Sequence, residues 1–503
     1  MAPIWWYPFS AMGRSMLRTT ARRGLLLTPL LLPLGGCGAE AEAPRGVLLI
    51  SIDSLRADHL SSYGYRAPAN PGQPTSPAMD AMLADQGVRF ETVVSTTSWT
   101  LPSHLAMLSG RPNELHGVQE IPDRLPNEVP LVAESLGAAG FRTAGFWSGP
   151  NLHPWFGFER GFELYEDCSA RPMADPEVFA LNDEEADHEA VMAAHDDSHQ
   201  GITGPRVIDA FEGWFEELDD EEPFFAFVHL WDVHYDYPPP PEYDVFGDPT
   251  YRGRIDGTDF MNLRIGAHQQ KDLARLVSLY DGEILFTDHQ VKRLLTMLDL
   301  AGRLDDTLVI LTSDHGEAFG EHTMLGHKHS LHEEEIRIPL LMRYPARIPA
   351  GHTVDDLASL VDLVPTIHDF LDLPMPDGVW GRSLAPLATG AVDDLPPRPA
   401  PIELTTRYNG RYQRGFRWQD DKFVDRGADR QKVHLDLVAD PHELDPVREK
   451  DDDAAYQARR AESEALWAEL DSARPVRRGD GALPEGLSDD LAAHGYMGEG
   501  DED

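Results

Sequence analysis

The chain reads as an α/β protein: a large, mostly parallel sheet flanked by helices, followed by a smaller C-terminal α+β unit. Three apolar runs carry that reading: GVLLISID at 46–53, FFAFVHLW at 224–231 and LVILTSDHG at 308–316. Each is rich in branched or aromatic side chains with little polar alternation, the pattern of a strand covered on both faces. Between them run helical patterns at 76–87, 129–140, 207–218 and 283–302. The last repeats Ile284, Leu285, Val291, Leu294, Leu295 and Leu298 at helical spacing and stops at Gly302. Strands alternating with helices make an open sheet whose ligands gather at the carboxyl ends of the strands. Asp53, Asp314 and His315 fall at such ends.

The remaining segments are punctuated by composition. Residues 165–201 are acidic, His-bearing and aperiodic, and read as a solvated loop. Pro238 to Pro241 form a rigid turn, and DDLPPRPAP at 393–401 reads as a linker. Beyond it, 402–408 and 411–418 flank Asn409-Gly410 as a hairpin, with a short strand near 433–437 and a helix near 453–470. The expected division is a leader at 1–37, a main domain at 44–395, a subdomain at 396–475 and an acidic tail at 476–503.

Arg14, Arg18, Arg22 and Arg23 precede an apolar run from Leu25 to Leu34, then Leu34-Gly35-Gly36-Cys37. A basic region, a short apolar stretch and small residues mark a secretory leader too short to span a bilayer. The last four residues resemble the lipobox of bacterial lipoproteins. That resemblance implies a lipidated Cys37, a membrane anchor and a location in the cell envelope. Arg22-Arg23 also fits a twin-arginine export signal loosely. Cys168 would then be the sole remaining thiol, which excludes an internal disulfide. With 43 basic and 86 acidic residues, the chain carries a formal charge of −43, which argues against nucleic acid and anionic lipid surfaces as partners.

The segment TLPSHLAMLSG at 100–110 places a hydroxyl at the start of a helix that Pro102 suits in its first turn. Thr100 or Leu101 is expected at or just before the cap, and the free N–H groups there would favour an anion. A threonine in that position is ordinarily a structural cap. Asp53, Thr100, Asp314 and His315 together offer three oxygens and one imidazole, a set suited to Ca²⁺, Mg²⁺ or Mn²⁺ and less naturally to Zn²⁺.

Three stretches, SIDSLRADHL at 51–60, TLPSH at 100–104 with Gly110, and TSDHGEAFGEH at 312–322, resemble the metal-site motifs of the sulfatase family, within the alkaline phosphatase superfamily. Similar stretches at 224–241, 280–306, 326–339 and 434–441 extend the resemblance over roughly residues 45 to 445. It implies an alkaline-phosphatase-like fold and hydrolysis of anionic esters, sulfated or phosphorylated, with one divalent ion held by Asp53, Thr100, Asp314 and His315. Thr100 falls where the family has a Cys or Ser oxidised to formylglycine. His234 falls near the family's leaving-group histidine. His327 falls near its lysine, with Lys328 or His329 equally placed after a short slip, and Arg56 is matched to a contact with the transferred group. His229 reads as a core residue or a support to the site, and His322, His329 and His332 lie where several imidazoles compete for one role.

Two departures matter. Threonine cannot become formylglycine, and His104 stands where the family has Arg. An aldehyde hydrate can expel sulfate from its own adduct, whereas a threonine ester needs attack by water. Weight therefore moves toward phosphate or phosphonate esters, and no formylglycine is expected. The alternatives are a phosphoryl or phosphoglycerol transferase of the envelope, or a non-catalytic binder of an anionic ligand on the same fold.

Overall fold

Gly46–Ile52 (β1) is buried along its whole length, as a run without polar alternation requires. The computed structural model describes residues 42–169, 202–258, 260, 263, 269–406, 411–427, 431–448, 453–473, 483, 484, 487, 488 and 491. Cys37 and its leader, residues 170–201 of the acidic stretch, the Asn409-Gly410 turn and most of the tail lie outside the described residues.

The main sheet adds Val88–Phe90 (β2), Arg142–Trp147 (β3), Leu164–Asp167 (β4), Phe224–Leu230 (β5), Thr307–Ser313 (β6), Leu340–Arg343 (β7) and His352–Val354 (β8). Their order is β8-β2-β7-β6-β1-β5-β3-β4, and β7 alone runs antiparallel to its neighbours. β1 lies centrally, with Ile52 opposite Leu230 on one side and Ser313 on the other. The next residue along β1 and along β6 is an aspartate, so register alone puts Asp53 and Asp314 side by side at the carboxyl edge.

Strand alternation divides the interior in two. Val47, Leu49, Phe225, Phe227, Leu308 and Ile310 enter one core. Leu48, Ile50, Ile52, Val228, Val309 and Leu311 enter the other. Thr100–Ser109 (α1) packs on the first through Leu101, Leu105 and Leu108. Gly204–Phe215 (α2) and Gln270–Leu300 (α3) pack on the second through Val207, Ile208, Phe211 and the apolar stripe of α3.

Several boundaries differ from the sequence reading, each for a local reason. α3 starts well before residue 283 because Leu276, Leu279 and Tyr280 extend its buried stripe. α2 begins at Gly204, where Pro205 suits its first turn. The helix expected over 76–87 is one turn, Pro77–Met79, running into a π-turn at Asp80–Ala84. Residues 165–167, expected in a loop, belong to β4, whose Tyr165 stacks on Trp147 of β3.

The C-terminal sheet is an antiparallel meander: Ala400–Thr406 (β9), Arg411–Arg417 (β10), Asp421–Asp425 (β11), Val433–Asp436 (β12) and Val447–Arg448 (β13). The expected hairpin is its first pair, with Thr406 opposite Arg411. β11, with charged residues at its ends, carried no strand signal of its own. Ala454–Ser472 (α4) starts where the Asp453 side chain accepts the Tyr456 N–H. It packs Tyr456, Trp467 and Leu470 onto Phe416, Trp418 and Phe423.

Candidate active site

Asp53, Thr100, Asp314 and His315 meet at the carboxyl edge of the central strands, each wholly buried. Thr100 is the first residue of α1, one step inside the cap, which is Trp99 and makes no side-chain capping bond. Its hydroxyl is therefore not a cap. Thr100 Oγ1 lies 3.4 Å from Asp53 Oδ2 and 3.3 Å from His315 Nε2. Gly110 ends the helix in the left-handed region at φ 66°.

The loops behind these residues are tightly specified. Ser54, also left-handed at φ 56°, donates its hydroxyl to Asp53 Oδ1 at 2.9 Å and its N–H to Asp314 Oδ1 at 3.2 Å. His315 N–H reaches the same Asp314 oxygen at 2.9 Å. A Cβ on Gly316 would lie 2.2 Å from the Glu334 carbonyl, so glycine is required where the chain turns away from His315.

His315 Nδ1 donates to the Gly316 carbonyl at 2.8 Å, which leaves Nε2 with its lone pair turned inward. That lone pair faces Asp314 Oδ2 at 3.3 Å and Asp53 Oδ1 at 3.7 Å. Asp314 Oδ2 has no hydrogen bond. Burial raises the Asp53 carboxyl to about 6, against the partial relief of His315, Ser54 and Thr100. Converging lone pairs on two carboxylates and an imidazole, all wholly buried, form a cluster that calls for a cation. The donors fit a divalent ion, with Thr100 Oγ1 as a further oxygen ligand.

Two further imidazoles, His104, which stands where the resemblance has Arg, and His229, read as a core residue or a support, complete the surroundings. His104 Nδ1 donates to the Thr100 carbonyl at 2.9 Å and accepts the Ser51 hydroxyl at Nε2, also at 2.9 Å. Both bonds suit the neutral ring, and burial lowers its pKa to about 3. His104 thus supplies no positive charge where the resemblance has Arg. His229 Nε2 lies 3.4 Å from Asp53 Oδ2, and burial lowers its pKa to about 4. Its position follows from register: Ser51 of β1 pairs with His229 of β5.

On the other side, His327 lies 4.3 Å from His315 and 5.0 Å from His234, between ring centroids. Glu317 holds His327 Nδ1 at 3.2 Å and accepts the Tyr237 hydroxyl at 2.6 Å. His234 donates Nδ1 to the Tyr235 carbonyl at 2.7 Å and stacks on Trp231 at 3.9 Å. Lys328 lies 3.9 Å over the Trp99 ring, next to Thr100 in sequence, and burial lowers its pKa to about 8. His329 turns away: its Nε2 meets the Leu325 carbonyl at 3.0 Å.

Arg56 is also placed otherwise than the resemblance implies. Its guanidinium binds Asp58 at 2.8 and 2.9 Å, and Glu321 and the Glu317 carbonyl at 2.8 Å each. Every nitrogen is occupied, so Arg56 braces the loop after His315 rather than facing Thr100. Burial alone would raise the Glu321 carboxyl, but Arg56 outweighs it and holds it below the usual range. Such a group stabilises the fold above its unfolded pKa, and that contribution is lost as pH falls through the lowered folded value. Glu321→Gln is expected to cost about 1–3 kcal/mol near neutral pH. It should also flatten the loss of stability below about pH 4.5, both read from denaturant melts across pH. Equal acid slopes in the two proteins would exclude this assignment.

Comparison with known proteins agrees with this architecture. Residues 45–373 match the sulfatase family model, and residues 320–466 match that of the N-sulphoglucosamine sulphohydrolase C-terminal region. An N-acetylglucosamine-6-O-sulfatase of Bacteroides thetaiotaomicron is 22% identical over 507 aligned positions, covering 84% of this chain and 86% of that protein. The solved structure of a protein in complex with its substrate D-glucosamine-2-N,6-O-disulfate superposes with a TM-score of 0.66 at 21% identity, over 86% of this chain and 98% of the other. The phosphonate monoester hydrolase of Agrobacterium radiobacter gives 0.67 at 23% identity, over 85% and 95%. With two thirds of its length matched by the family model and its sheet edge built as described, the chain belongs to the sulfatase family of ester hydrolases.

Proposed function

We propose that this protein is a metal-dependent hydrolase of anionic esters that uses Thr100 as its nucleophile and favours phosphate or phosphonate esters over sulfate esters. The observation that carries the reading is the uncapped Thr100 hydroxyl, within 3.4 Å of a carboxylate and an imidazole that are themselves drawn together without a counter-charge. A divalent ion held by Asp53, Asp314, His315 and Thr100 Oγ1 would supply charge neutralisation and make the hydroxyl more acidic. Thr100 Oγ1 attacks the phosphorus in line, from the first turn of α1, where backbone N–H groups favour the anion, and its hydroxyl proton passes to the Asp53 carboxylate it already faces. The imidazole of His234 gives a proton to the departing oxygen, while Glu317 fixes the adjacent ring of His327, whose pKa burial and the neighbouring imidazoles hold well below the ordinary value. Water then cleaves the Thr100 ester. The neutral His104, bonded at both ring nitrogens, places no positive charge beside Thr100.

The test is a matched panel of aryl sulfate, phosphate monoester, phosphodiester and phosphonate ester with one leaving group. Phosphorus esters are expected to turn over at least tenfold faster than the sulfate. Sulfate turnover with no phosphoesterase activity would overturn the preference, and a product carrying an added alcohol would move the reading to transfer. The relatives' sulfated glucosamine substrates make a phosphorylated or sulfated glycan the natural class to try first. We further propose that export ends in lipidation of Cys37. Cys37→Ser is expected to leave uncleaved precursor or release the protein from membranes, and wild-type protein wholly soluble and free of lipid mass would refute it.

A further inference from the structure

A second set of metal-capable side chains converges where the loop after His315 meets the C-terminal sheet. His322, His332 and Glu443 each present a ligand atom within 4.8 Å of the others. His322 lies in the turn between the paired strands Ala318–Phe319 and Leu325–Gly326. His332 caps the short helix Glu333–Ile336, and Glu443 follows β12. His332 Nδ1 is 3.1 Å from Glu443 Oε2, yet it makes no aligned hydrogen bond although the residue is only 7% exposed. Glu334 Oε1 adds a second carboxylate 3.7 Å from His322 Nε2.

Part of this cluster has a purely structural duty. Lys422 lies 2.6 Å from Glu443 Oε1, and Glu443 Oε2 accepts the Glu333 N–H at 2.7 Å. That pairing keeps Glu443 ionised but gives no reason for two imidazoles and a further carboxylate beside it. Two nitrogens and two carboxylate oxygens are the donor mixture of a zinc-type site. The rings of His322 and His332 stack at 3.7 Å and 13°, and planes so stacked cannot both contain one ion. His322 must therefore swing out of the stack, and its side chain is the more exposed of the two, 16% against 9% for His332.

We propose that His322, His332 and Glu443, with Glu334 in reach, form a second site for a divalent transition-metal ion. None of its ligands is shared with the Asp53–Asp314–His315 centre. An ion there would tie the loop that follows the Thr100 site to the C-terminal sheet.

The experiment titrates metal-stripped protein with Zn²⁺, and with Co²⁺ for its visible spectrum, in an Asp314→Asn background. One ion per chain is expected in that background. His322→Ala added to it should weaken binding at least tenfold and remove the Co²⁺ bands of nitrogen ligation. His332→Gln should do the same, and far-ultraviolet circular dichroism checks that each variant is folded. If Asp314→Asn fails to empty the first centre, the count begins at two and His322→Ala still removes one, so the two sites are read separately. Zn²⁺ affinity unchanged by both histidine substitutions, or no Zn²⁺ bound in the Asp314→Asn chain, would overturn the proposal.

Discussion

Thr100→Ala is expected to lower turnover of every ester the protein accepts by at least about 10³-fold, because the covalent step loses its nucleophile. The fold should tolerate the change. Thr100 makes no capping bond, its hydroxyl contacts only Asp53 and His315, and the start of α1 is fixed by Leu101, Leu105 and the Gly110 stop. Metal content should stay within reach of wild type, since two carboxylates and an imidazole remain. Thr100→Ser should keep a measurable part of the activity, with the γ-methyl lost and the hydroxyl retained. Stereochemistry at phosphorus offers a second readout: two in-line displacements through the Thr100 ester should give net retention, whereas direct attack by water would give inversion. An active Thr100→Ala variant would leave the attacking group to be a water, and the threonine a mere ligand.

The site was legible in sequence wherever strand register fixes it. Asp53 and Asp314 end two apolar runs, and parallel pairing of β1 with β6 necessarily makes them neighbours. Helix α1 delivers Thr100 to the same edge; the hydroxyl-proline pattern alone reads as a structural cap, and only the resemblance of the three stretches joins Thr100 to Asp53 and Asp314. Side-chain contacts between distant loops were not legible. Nothing local shows that Arg56 spends its guanidinium on Asp58 and Glu321, or that His329 folds back on Leu325. Glu317, two residues beyond His315, gained its meaning only when the loop brought it to His327 and Tyr237. His104 was visible as a departure, but its neutral, doubly bonded state depends on Ser51, which lies on another element. The same limit applies to the fold. Long, fully buried strands were found, while the short charged-ended β11 and the early turns of α3 needed their packing partners to declare them.

Asp314→Asn carries the other large effect, and its two consequences should separate. Asp314 Oδ1 accepts two N–H bonds, from Ser54 and His315, and an asparagine carbonyl can keep both. Oδ2 is the atom that changes: it faces His315 Nε2 at 3.3 Å and has no hydrogen bond of its own. An amide there donates to the inward lone pair of His315 and removes one of the two converging charges. The metal-free variant should therefore be as stable as metal-free wild type or more so, since an unsatisfied buried carboxylate oxygen has been replaced by a bonded donor. The share of metal-dependent stability that comes from the catalytic centre should vanish with it. At a free ion concentration about a hundred times its Kd, wild type should gain roughly 2.7 kcal/mol over its stripped form, while Asp314→Asn should gain at the catalytic centre almost nothing. Turnover should follow the metal, falling by about 10³-fold or more in the variant and in chelated wild type. Restoration by added Mn²⁺, Mg²⁺, Ca²⁺ or Zn²⁺ then ranks the ions this donor set accepts. Full activity after exhaustive chelation, or an Asp314→Asn protein stabilised by metal as strongly as wild type, would show that the cluster of Asp53, Asp314 and His315 does not hold the ion on which the reaction depends.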